Sequence, residues 1–331
     1  MQNSSFRQDA RRWLPGVLIS AVALFVVFRL ANWQDLGMAF RNLPLLNLVI
    51  AVGISVITLG TRSLAWRTLL EDRPDFWSSF FVINEGYLFN NLFPLRAGEI
   101  ARAVLMGRIT HLGPLHVLST IVIERTFDLA MAAGLLLSTL PLALGMDWAR
   151  PVAIVTLFLV VLGLTAMFYM ARYSRQLQEW LERNAQRHAW INRWVIPRMG
   201  SLMDGLAVLT QPDRFLKALF WILISWAGWV VTHFIMLSGV IPGAKFWWAA
   251  FTDGVLALGV AIPSAPSAIG VFEGALVGAL TLLGIDASTA LAYAILMHFL
   301  SFTPTAVFGI IGLLIQGRSL GSVFAEIRSV K

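Results

Sequence analysis

The sequence contains no cysteine, which excludes a disulfide framework, thiol catalysis and metal sites built from thiolates. Charged residues are also scarce: they make up 13% of the 331 residues, about half the share that is usual in soluble domains. No P-loop, no G-x-S-x-G element and no H-E-x-x-H element occurs in the chain. The chain therefore has too few polar residues to cover a water-soluble globule. We predict no cofactor, no metal site and no enzymatic activity.

Apolar sequence, by contrast, is abundant. Hydrophobic residues make up 58% of the chain, and the mean hydropathy is +0.74. A helix that crosses a bilayer needs about 20 largely apolar residues. Segments of roughly this kind lie at 14–30, 45–70, 114–144, 151–170, 215–240 and 287–315. The sequence therefore predicts an all-α integral membrane protein, a polytopic helical bundle with six full spans in a single domain over 1–331. The first segment also resembles a signal peptide, although no small-residue cleavage site follows it.

Two further apolar stretches, 76–106 and 246–283, are interrupted by prolines and charged residues. The interrupting residues are Glu85, Pro94, Arg96, Glu99 and Arg102 in the first stretch, and Asp253, Pro263, Pro266 and Glu273 in the second. Each stretch is long enough to enter the membrane and return, with a break in the middle. We therefore predict two re-entrant hairpins made of broken helices.

The two broken stretches share a pattern that indicates an internal repeat. Each has an acidic residue followed by glycine, at 85–86 and at 253–254. Each then has a proline that is followed four residues later by glycine, at 94–98 and at 266–270. Transporters often contain such pairs of interrupted helices, with the binding site between them.

We predict one half of the repeat at about 45–145 and the other at about 215–316. With the N-terminus in the cytoplasm, the first hairpin enters from the cytoplasm and the second from outside, so the pseudo-repeat is inverted. The connector at about 173–212 has apolar residues at helical spacing with Arg residues between them. It fits either an amphipathic helix on the cytoplasmic membrane surface or a solvated linker helix.

Basic residues lie mainly on one side of this layout. Most of the 25 Lys and Arg residues fall in the stretches 1–13, 62–73, 96–108, 172–217 and 318–331, which share a side if each hairpin returns to the side that it left. The positive-inside rule assigns that side to the cytoplasm. We therefore predict a multi-pass protein of the bacterial inner membrane with both termini in the cytoplasm. The basic sequence reflects membrane orientation, and no nucleic acid partner is predicted.

Three charged residues, Glu124, Arg125 and Asp128, lie close together in the predicted span that begins at Pro114. They are about 15 Å along that helix, near the bilayer centre. A charge at this depth costs about 2.5–3.5 kcal/mol, so it usually has a partner and a function. Glu124 and Asp128 are four residues apart and share a helix face. The group is therefore a structural ion pair or part of a polar path for a lipid headgroup, and it can serve both roles.

Arg96 and Arg102 follow the break at Pro94, with Glu99 between them. Their planar guanidinium groups are suited to a phosphate, and a new helix start after the break would attract anions. Ordinary charge at a membrane boundary is the alternative. On the second hairpin, Glu273 is predicted to complete the polar network.

Protonatable residues also occur within the apolar stretches. Glu273, Asp253 and His298 are the candidates for proton coupling, because each is an ionisable group in a predicted membrane segment. Glu85 has the same character on the first hairpin. For His298, a hydrogen-bonded helix contact is the alternative.

Three ordered motifs resemble those of a known membrane family. Residues 90–102 resemble its N-N-x-x-P-x-R-x-G-E-x-x-R signature, residues 119–128 its S-x-x-x-x-E-R-x-x-D element, and residues 263–273 its P-x-P-G-G-x-G-x-x-E element. On these motifs the chain resembles the lysylphosphatidylglycerol synthase transmembrane (flippase-domain) family, the stand-alone homologues of the multiple peptide resistance factor membrane domain. Two departures stand out: Ser267-Ala268 replaces the usual Gly-Gly, and His298 lies near a position often held by Arg.

The resemblance implies a lipid translocase that moves a phospholipid or lipid-linked precursor headgroup across the membrane through a central polar groove. Family substrates include anionic phospholipids and, for some relatives, polyprenyl-linked or hopanoid lipids. No aminoacyltransferase domain is expected, so a synthase activity is not implied. The predicted substrate-binding residues are Asn90, Asn91, Arg96, Glu99, Arg102, Glu124, Arg125, Asp128 and Glu273.

Two other functions stay open from the sequence. One is a membrane-embedded glycosyl- or lipid-modifying transferase, and the other is a non-transporting assembly partner of a lipid synthase. A separately encoded lipid-synthesis enzyme and a second copy of the chain are further candidate partners.

Overall fold

The computed structural model describes residues 44–93, 97–144, 149–173, 204–261 and 264–323, together with positions 37, 176 and 179. Three features of the sequence analysis lie outside these residues. They are the span at 14–30, most of the connector at 173–212, and Arg96 with its predicted phosphate contact.

The described part of the chain folds into helices throughout. The α-helices are α1 (Leu45–Leu69), α2 (Phe76–Leu92), α3 (Ala97–Thr110), α4 (Pro114–Leu144), α5 (Ala149–Arg172), α6 (Pro212–Val240), α7 (Phe246–Gly259), α8 (Val271–Leu282) and α9 (Ala287–Ile315). Short 3₁₀ turns lie at Ala207–Thr210 and Pro266–Ala268. The prediction of an all-α helical membrane protein is confirmed.

Three of the described helices, α1, α6 and α9, are long and apolar enough to cross a membrane. They coincide with three predicted spans. The predicted spans at 114–144 and 151–170 are also single helices, α4 with 31 residues and α5 with 24. Their crossing of the membrane stays a prediction.

Helix starts follow local sequence chemistry. Asp75 precedes α2, and its carboxylate accepts a hydrogen bond from the N–H of Ser78 at 2.9 Å. Asp286 caps α9 in the same way, through the N–H of Thr289 at 2.8 Å. Each cap satisfies one of the N–H groups that a helix start leaves without an intrahelical partner.

Helices α1 and α6 form the most extensive helix pair of the described residues, and they run antiparallel. Near the start of α1, Asn47 donates to the carbonyl of Ile235 near the end of α6 at 2.8 Å. A Cβ atom at Gly228 in the middle of α6 would lie 2.2 Å from the hydroxyl oxygen of Thr58 in α1. Only glycine therefore permits the two backbones to approach this closely.

The other helix contacts repeat when the two predicted halves are exchanged. Helices α1 to α4 and helices α6 to α9 follow the same order: a long helix, two short helices and a long helix. Helix α2 packs against α9 of the other half, and α7 correspondingly packs against α4. Because the equivalent helices α1 and α6 run in opposite directions, this is the pattern that an inverted repeat produces. The division into halves stays a prediction.

Helices α2 and α3 pack against each other on either side of the first break. They have 17 and 14 residues and are about 26 Å and 21 Å long, shorter than a bilayer core of about 30 Å. A Cβ atom at Gly98 in α3 would lie 1.9 Å from the carbonyl oxygen of Gly86 in α2, so the two backbones touch. The pair has the form that a re-entrant hairpin requires, and its depth in a membrane stays a prediction.

Replacing Gly98 with Ala should destabilise the protein by about 1–3 kcal/mol, because the methyl group forces the two backbones apart. Gly278 provides a matched control, since it lies inside α8 and nothing lies within 4 Å of a Cβ added there. Thermal denaturation in detergent would measure both variants. Equal melting temperatures for Gly98→Ala and Gly278→Ala would contradict the close contact.

Replacing Asp75 with Ala should lower stability by about 0.5–2 kcal/mol at neutral pH, because α2 loses its N-cap. The pKa of Asp75 lies below its usual value, because its carboxylate accepts hydrogen bonds from the hydroxyl and the N–H of Ser78. A group with such a lowered folded-state pKa stabilises the fold above its unfolded pKa, and this stabilisation is lost as the pH falls through the folded pKa. Melting temperatures of wild type and variant should therefore converge below about pH 4. A constant difference between neutral and acid pH would contradict this role.

Candidate functional site

A buried ion network surrounds Glu124 in the middle of α4. Its side chain is 1% exposed, and each carboxylate oxygen accepts from a guanidinium group on another helix. Arg102 of α3 donates to Oε2 at 2.6 Å, and Arg62 of α1 donates to Oε1 at 2.7 Å. One carboxylate therefore ties α1, α3 and α4 together.

Asp128 extends the network by one helical turn. Arg62 donates to it through both terminal nitrogens, at 2.7 Å and 2.5 Å, and thus bridges Asp128 and Glu124. Arg125 donates to Asp128 at 3.1 Å. The indole of Trp226 in α6 adds a further donor at 3.1 Å, which connects the network to the other half of the chain.

Arg102 is positioned from two sides. Its guanidinium carbon lies 4.1 Å from the ring centroid of Trp66, a cation–π contact, and Trp66 itself donates to the hydroxyl of Thr120 at 3.1 Å. A Cβ atom at Gly86 would lie 2.4 Å from Cγ of Arg102. The glycine that follows Glu85 in the repeated pattern therefore makes room for the arginine stem.

Arg125 is the most accessible guanidinium of the network. Its side chain is 32% exposed, and its Nε lies 3.4 Å from Oε1 of Glu99. With Glu99 included, the network contains three arginines and three carboxylates, so its formal charge is balanced. Glu99, Arg102, Glu124, Arg125 and Asp128, all predicted from the sequence, are brought together here.

Arg62 was missed by the sequence analysis. It was placed in the cytoplasmic stretch 62–73 and was not proposed as a site residue, yet it is 7% exposed and bound to two carboxylates. The side of the membrane on which it lies stays a prediction. Arg62 lies about 26 Å along α1 from Leu45, which is close to the thickness of a bilayer core. From the sequence alone, this distance favoured a position at the boundary between membrane and cytoplasm. The polar run Thr61-Arg62-Ser63 inside an apolar segment was the available signal.

Glu273 belongs to a second polar group. Its carboxylate lies 2.5 Å from Nδ1 of His298 and accepts from the N–H of Gly270 at 2.7 Å. The other ring nitrogen of His298 lies 2.9 Å from the hydroxyl of Ser267. Glu273 was predicted to complete the arginine network. In the described residues its contacts are to His298 and to the backbone of its own helix start, and because Arg96 lies outside them, the completion of the network stays a prediction.

Asn90 and Asn91 connect the end of α2 to its neighbours. Asn90 accepts from the N–H of Gly98 at 2.8 Å, which joins the two sides of the first break. Asn91 donates to the hydroxyl of Thr305 in α9 at 3.4 Å. Both asparagines also line a cavity.

Two adjoining cavities lie between the halves. The first has a volume of about 320 Å³, and its polar lining includes Asn90, Asn91, Glu99, Arg125, Ser267 and His298. The second has a volume of about 420 Å³, and its polar lining includes Arg62, Arg125, Asp128, His233 and Asp253. Arg125, Tyr87 and Trp229 line both. The exposed part of the arginine network therefore faces a polar, aromatic-walled space.

Asp253 lies in the wall of the second cavity, together with two residues that the sequence analysis did not propose as functional. Its Oδ1 is 3.5 Å from Nε2 of His233, and Nδ1 of His233 is 2.7 Å from the hydroxyl of Tyr293. The three side chains come from α7, α6 and α9. A buried chain of polar side chains therefore leads from the cavity into the second half.

Comparison with known proteins identifies the family of the chain. The sequence profile of the lysylphosphatidylglycerol synthase TM region matches residues 13–309. The chain belongs to this family. A UPF0104 membrane protein of Methanothermobacter thermautotrophicus is 23% identical and covers 96% of both chains. A UPF0104 membrane protein of Methanocaldococcus jannaschii is 27% identical over 70% of this chain and 95% of its own length. No solved structure shows a significant match.

The resemblance inferred from the three motifs is therefore confirmed. Membership of this family suggests a lipid-related role in the membrane.

Replacing Glu124 with Gln should destabilise the protein by about 3–5 kcal/mol, because two buried guanidinium groups lose their shared charge partner. Glu71→Gln is the matched control: Glu71 pairs with Arg73 and Arg214 at 3.7 Å and 3.6 Å near the surface, where an ion pair contributes about 0–1 kcal/mol. Denaturation in detergent micelles would compare the two. Similar losses of stability in both variants would show that the buried network is not the stabilising element.

Proposed function

We propose that this protein moves the phosphate-bearing headgroup of a lipid between the two membrane leaflets. The two cavities that meet at Arg125 carry this proposal. They join at an arginine whose side chain is 32% exposed, while Arg62 and Arg102 are held by buried carboxylates. An ionisable side chain within a membrane segment is a functional candidate by default.

Arg125 has the contacts that a phosphate could replace. Its distances to Glu99 and Asp128 are 3.4 Å and 3.1 Å, longer than those that Arg62 and Arg102 make to Glu124. A phosphate oxygen offers stronger, charge-assisted hydrogen bonds to a guanidinium group. The amides of Asn90 and Asn91 and the hydroxyls of the first cavity supply further polar contacts along the path.

Anionic phospholipids and polyprenyl- or hopanoid-type lipids are the substrate classes that suit this site. The acyl or polyprenyl chains would stay in the bilayer while the headgroup passes along the cavities. A separately encoded lipid-synthesis enzyme would supply the lipid.

The location that we propose is the cytoplasmic (inner) membrane. The basic residues Arg67, Arg73, Arg214 and Lys217 share the end of the fold where α1 ends and α6 begins, and this end would face the cytoplasm.

Transport is preferred to catalysis for a specific reason. Beside the accessible Arg125, the carboxylates of Glu124 and Asp128 already accept hydrogen bonds from guanidinium groups, so neither offers at that place the free base that a membrane-embedded transferase needs. No metal-binding group of three His, Asp or Glu residues occurs in the described part of the chain.

Replacing Arg125 with Gln should reduce headgroup translocation at least tenfold, because the cavity loses its accessible cation. The measurement uses vesicles containing the purified protein and fluorescent phosphatidylglycerol or a fluorescent polyprenyl phosphate. Dithionite added outside reports the rate at which labelled headgroups reach the outer leaflet. Arg73→Gln, which changes a 52% exposed arginine at the basic end, should keep the wild-type rate.

Wild-type rates equal to those of empty vesicles with both lipids would overturn the proposed function. A wild-type rate that Arg125→Gln preserves, with unchanged melting temperature, would remove Arg125 from the path.

A further inference from the structure

Asp253 differs from the other carboxylates around the cavities. Glu124 and Asp128 accept from guanidinium groups, and Glu273 is bound by His298 and by a backbone N–H. Asp253 is 7% exposed, its Oδ1 lies 3.5 Å from His233, and its Oδ2 has no hydrogen-bond partner. It is thus a buried acid with one oxygen available at the wall of the second cavity.

The groups that face Asp253 supply no free cation among the described residues. On α4 and α1, the guanidinium groups of Arg125 and Arg62 line the same cavity but donate to Asp128 and Glu124, and Asp128 itself carries negative charge. On α8, the acidic side chain is Glu273, which His298 of α9 already engages. An ionised Asp253 is therefore left with His233 on α6.

The imidazole of His233 can make both of its contacts, to Tyr293 and to Asp253, while it is neutral. The hydroxyl of Tyr293 lies 2.7 Å from Nδ1 and can donate to it, which leaves a proton on Nε2 facing Asp253. His233 and Tyr293 are 2% and 0% exposed, so a charge on the ring would be buried as well. A charge at this depth without a counter-charge is unfavourable, so ionised Asp253 requires a cation from the cavity.

A proton fits this position better than a metal cation. A hard metal cation takes several oxygen ligands at once. Of the residues that line the second cavity within the described chain, Asp253 alone has a buried side-chain oxygen without a hydrogen-bond partner. One unpartnered oxygen suffices for a proton.

We infer that Asp253 takes up a proton on Oδ2 from cavity water, and that this uptake couples headgroup movement to a proton gradient. The inference rests on the proposed function, because it treats the cavities as the headgroup path. Protonated Asp253 offers a hydrogen-bond donor to a phosphate oxygen, whereas the ionised form repels an anionic headgroup. Binding of the proton and the headgroup is therefore mutually favourable, so the two move in the same direction. The proton returns to water when the headgroup leaves.

The first experiment measures translocation of fluorescent phosphatidylglycerol in vesicles with an imposed pH gradient, with empty vesicles under the same gradient as background. Wild type should move the headgroup several-fold faster away from the acidic side than without a gradient. Asp253→Asn should translocate at a rate that the pH gradient does not change. Asp253→Glu, which keeps a titratable group, should retain the response.

Glu85→Gln is the matched control. Glu85 is the acidic residue at the equivalent place in the repeated pattern. It is also fully buried, its Oε1 accepts from Gln316 at 2.8 Å, and its Oε2, like Oδ2 of Asp253, has no hydrogen-bond partner. It differs from Asp253 because it is not among the residues lining either cavity. This variant should respond to the gradient as wild type does. A response that persists in Asp253→Asn, or that is lost equally in Glu85→Gln, would overturn the assignment to Asp253. Acceleration by a sodium gradient at equal pH would overturn the choice of a proton.

A second measurement does not depend on translocation. Infrared difference spectra between acid and neutral pH should show a carboxylic acid C=O band in wild type and in Glu85→Gln, and this band should be missing in Asp253→Asn. If wild type moves no lipid but shows the band, the proposed function fails and the proton site stands. If wild type moves lipid without any response to pH, or if no band is lost in Asp253→Asn, the proton inference fails and the proposed function stands.

Discussion

The first half of the fold depends on one interaction, in which two guanidinium groups share the carboxylate of Glu124. Arg62 and Arg102 reach it from different helices, and both are shielded from solvent. In hydrocarbon, each of these charges alone would be unfavourable, and each is retained because the others compensate it. Helix α3 is too short to cross a bilayer, and this contact fixes it against two longer helices.

The two halves use the same arrangement of helices for different chemistry. In the first half, the space beside Gly86 accommodates the stem of Arg102, and charges of both signs are balanced. In the second half, a Cβ atom at the equivalent Gly254 would lie 3.3 Å from side-chain atoms of Leu135 and Leu136 in α4. The polar contacts there are those of Glu273 with His298 and of Asp253 with His233. The cavities therefore lie between a wall of paired ions and a wall of acids paired with imidazoles. The proposed binding of a phosphate at Arg125 and of a proton at Asp253 assigns the two ligands to these two walls.

Much of the fold could be predicted from the sequence, because hydropathy and helix breakers act locally. The segment expected at 45–70 is a helix from Leu45 to Leu69, and the breaks fall where proline and glycine interrupt the apolar stretches. Glu124 and Asp128 were also predicted to share one face of a helix, and Arg62 donates to both there. Pairings between helices could not be predicted in this way. An arginine about 26 Å along a helix can extend its side chain to the lipid headgroups or turn it inward to a carboxylate. For Arg62, the inward orientation depends on the packing of α4 against α1 and α3, which brings Glu124 within reach.

The same limit applies to the second half. His298 stands near a position where the family often has Arg, and the sequence could not show which group replaces the lost charge contact. The structure pairs the imidazole with Glu273, so a guanidinium is not needed there. The acid at 253 was recognisable as ionisable, but its unpartnered oxygen depends on which side chains α4 and α6 present to it.

The contact at Gly228 has a mechanical consequence. Because the backbone of α6 at Gly228 lies directly on the side chain of Thr58, a single small side chain separates the two central helices at this point. Helix α6 also contacts the ion network, because the indole of Trp226 donates to Asp128. A rocking displacement of one half against the other would therefore turn about the α1–α6 seam, and it would strain the hydrogen bonds that join the halves, those of Trp226 with Asp128, of Asn91 with Thr305 and of Gln316 with Glu85.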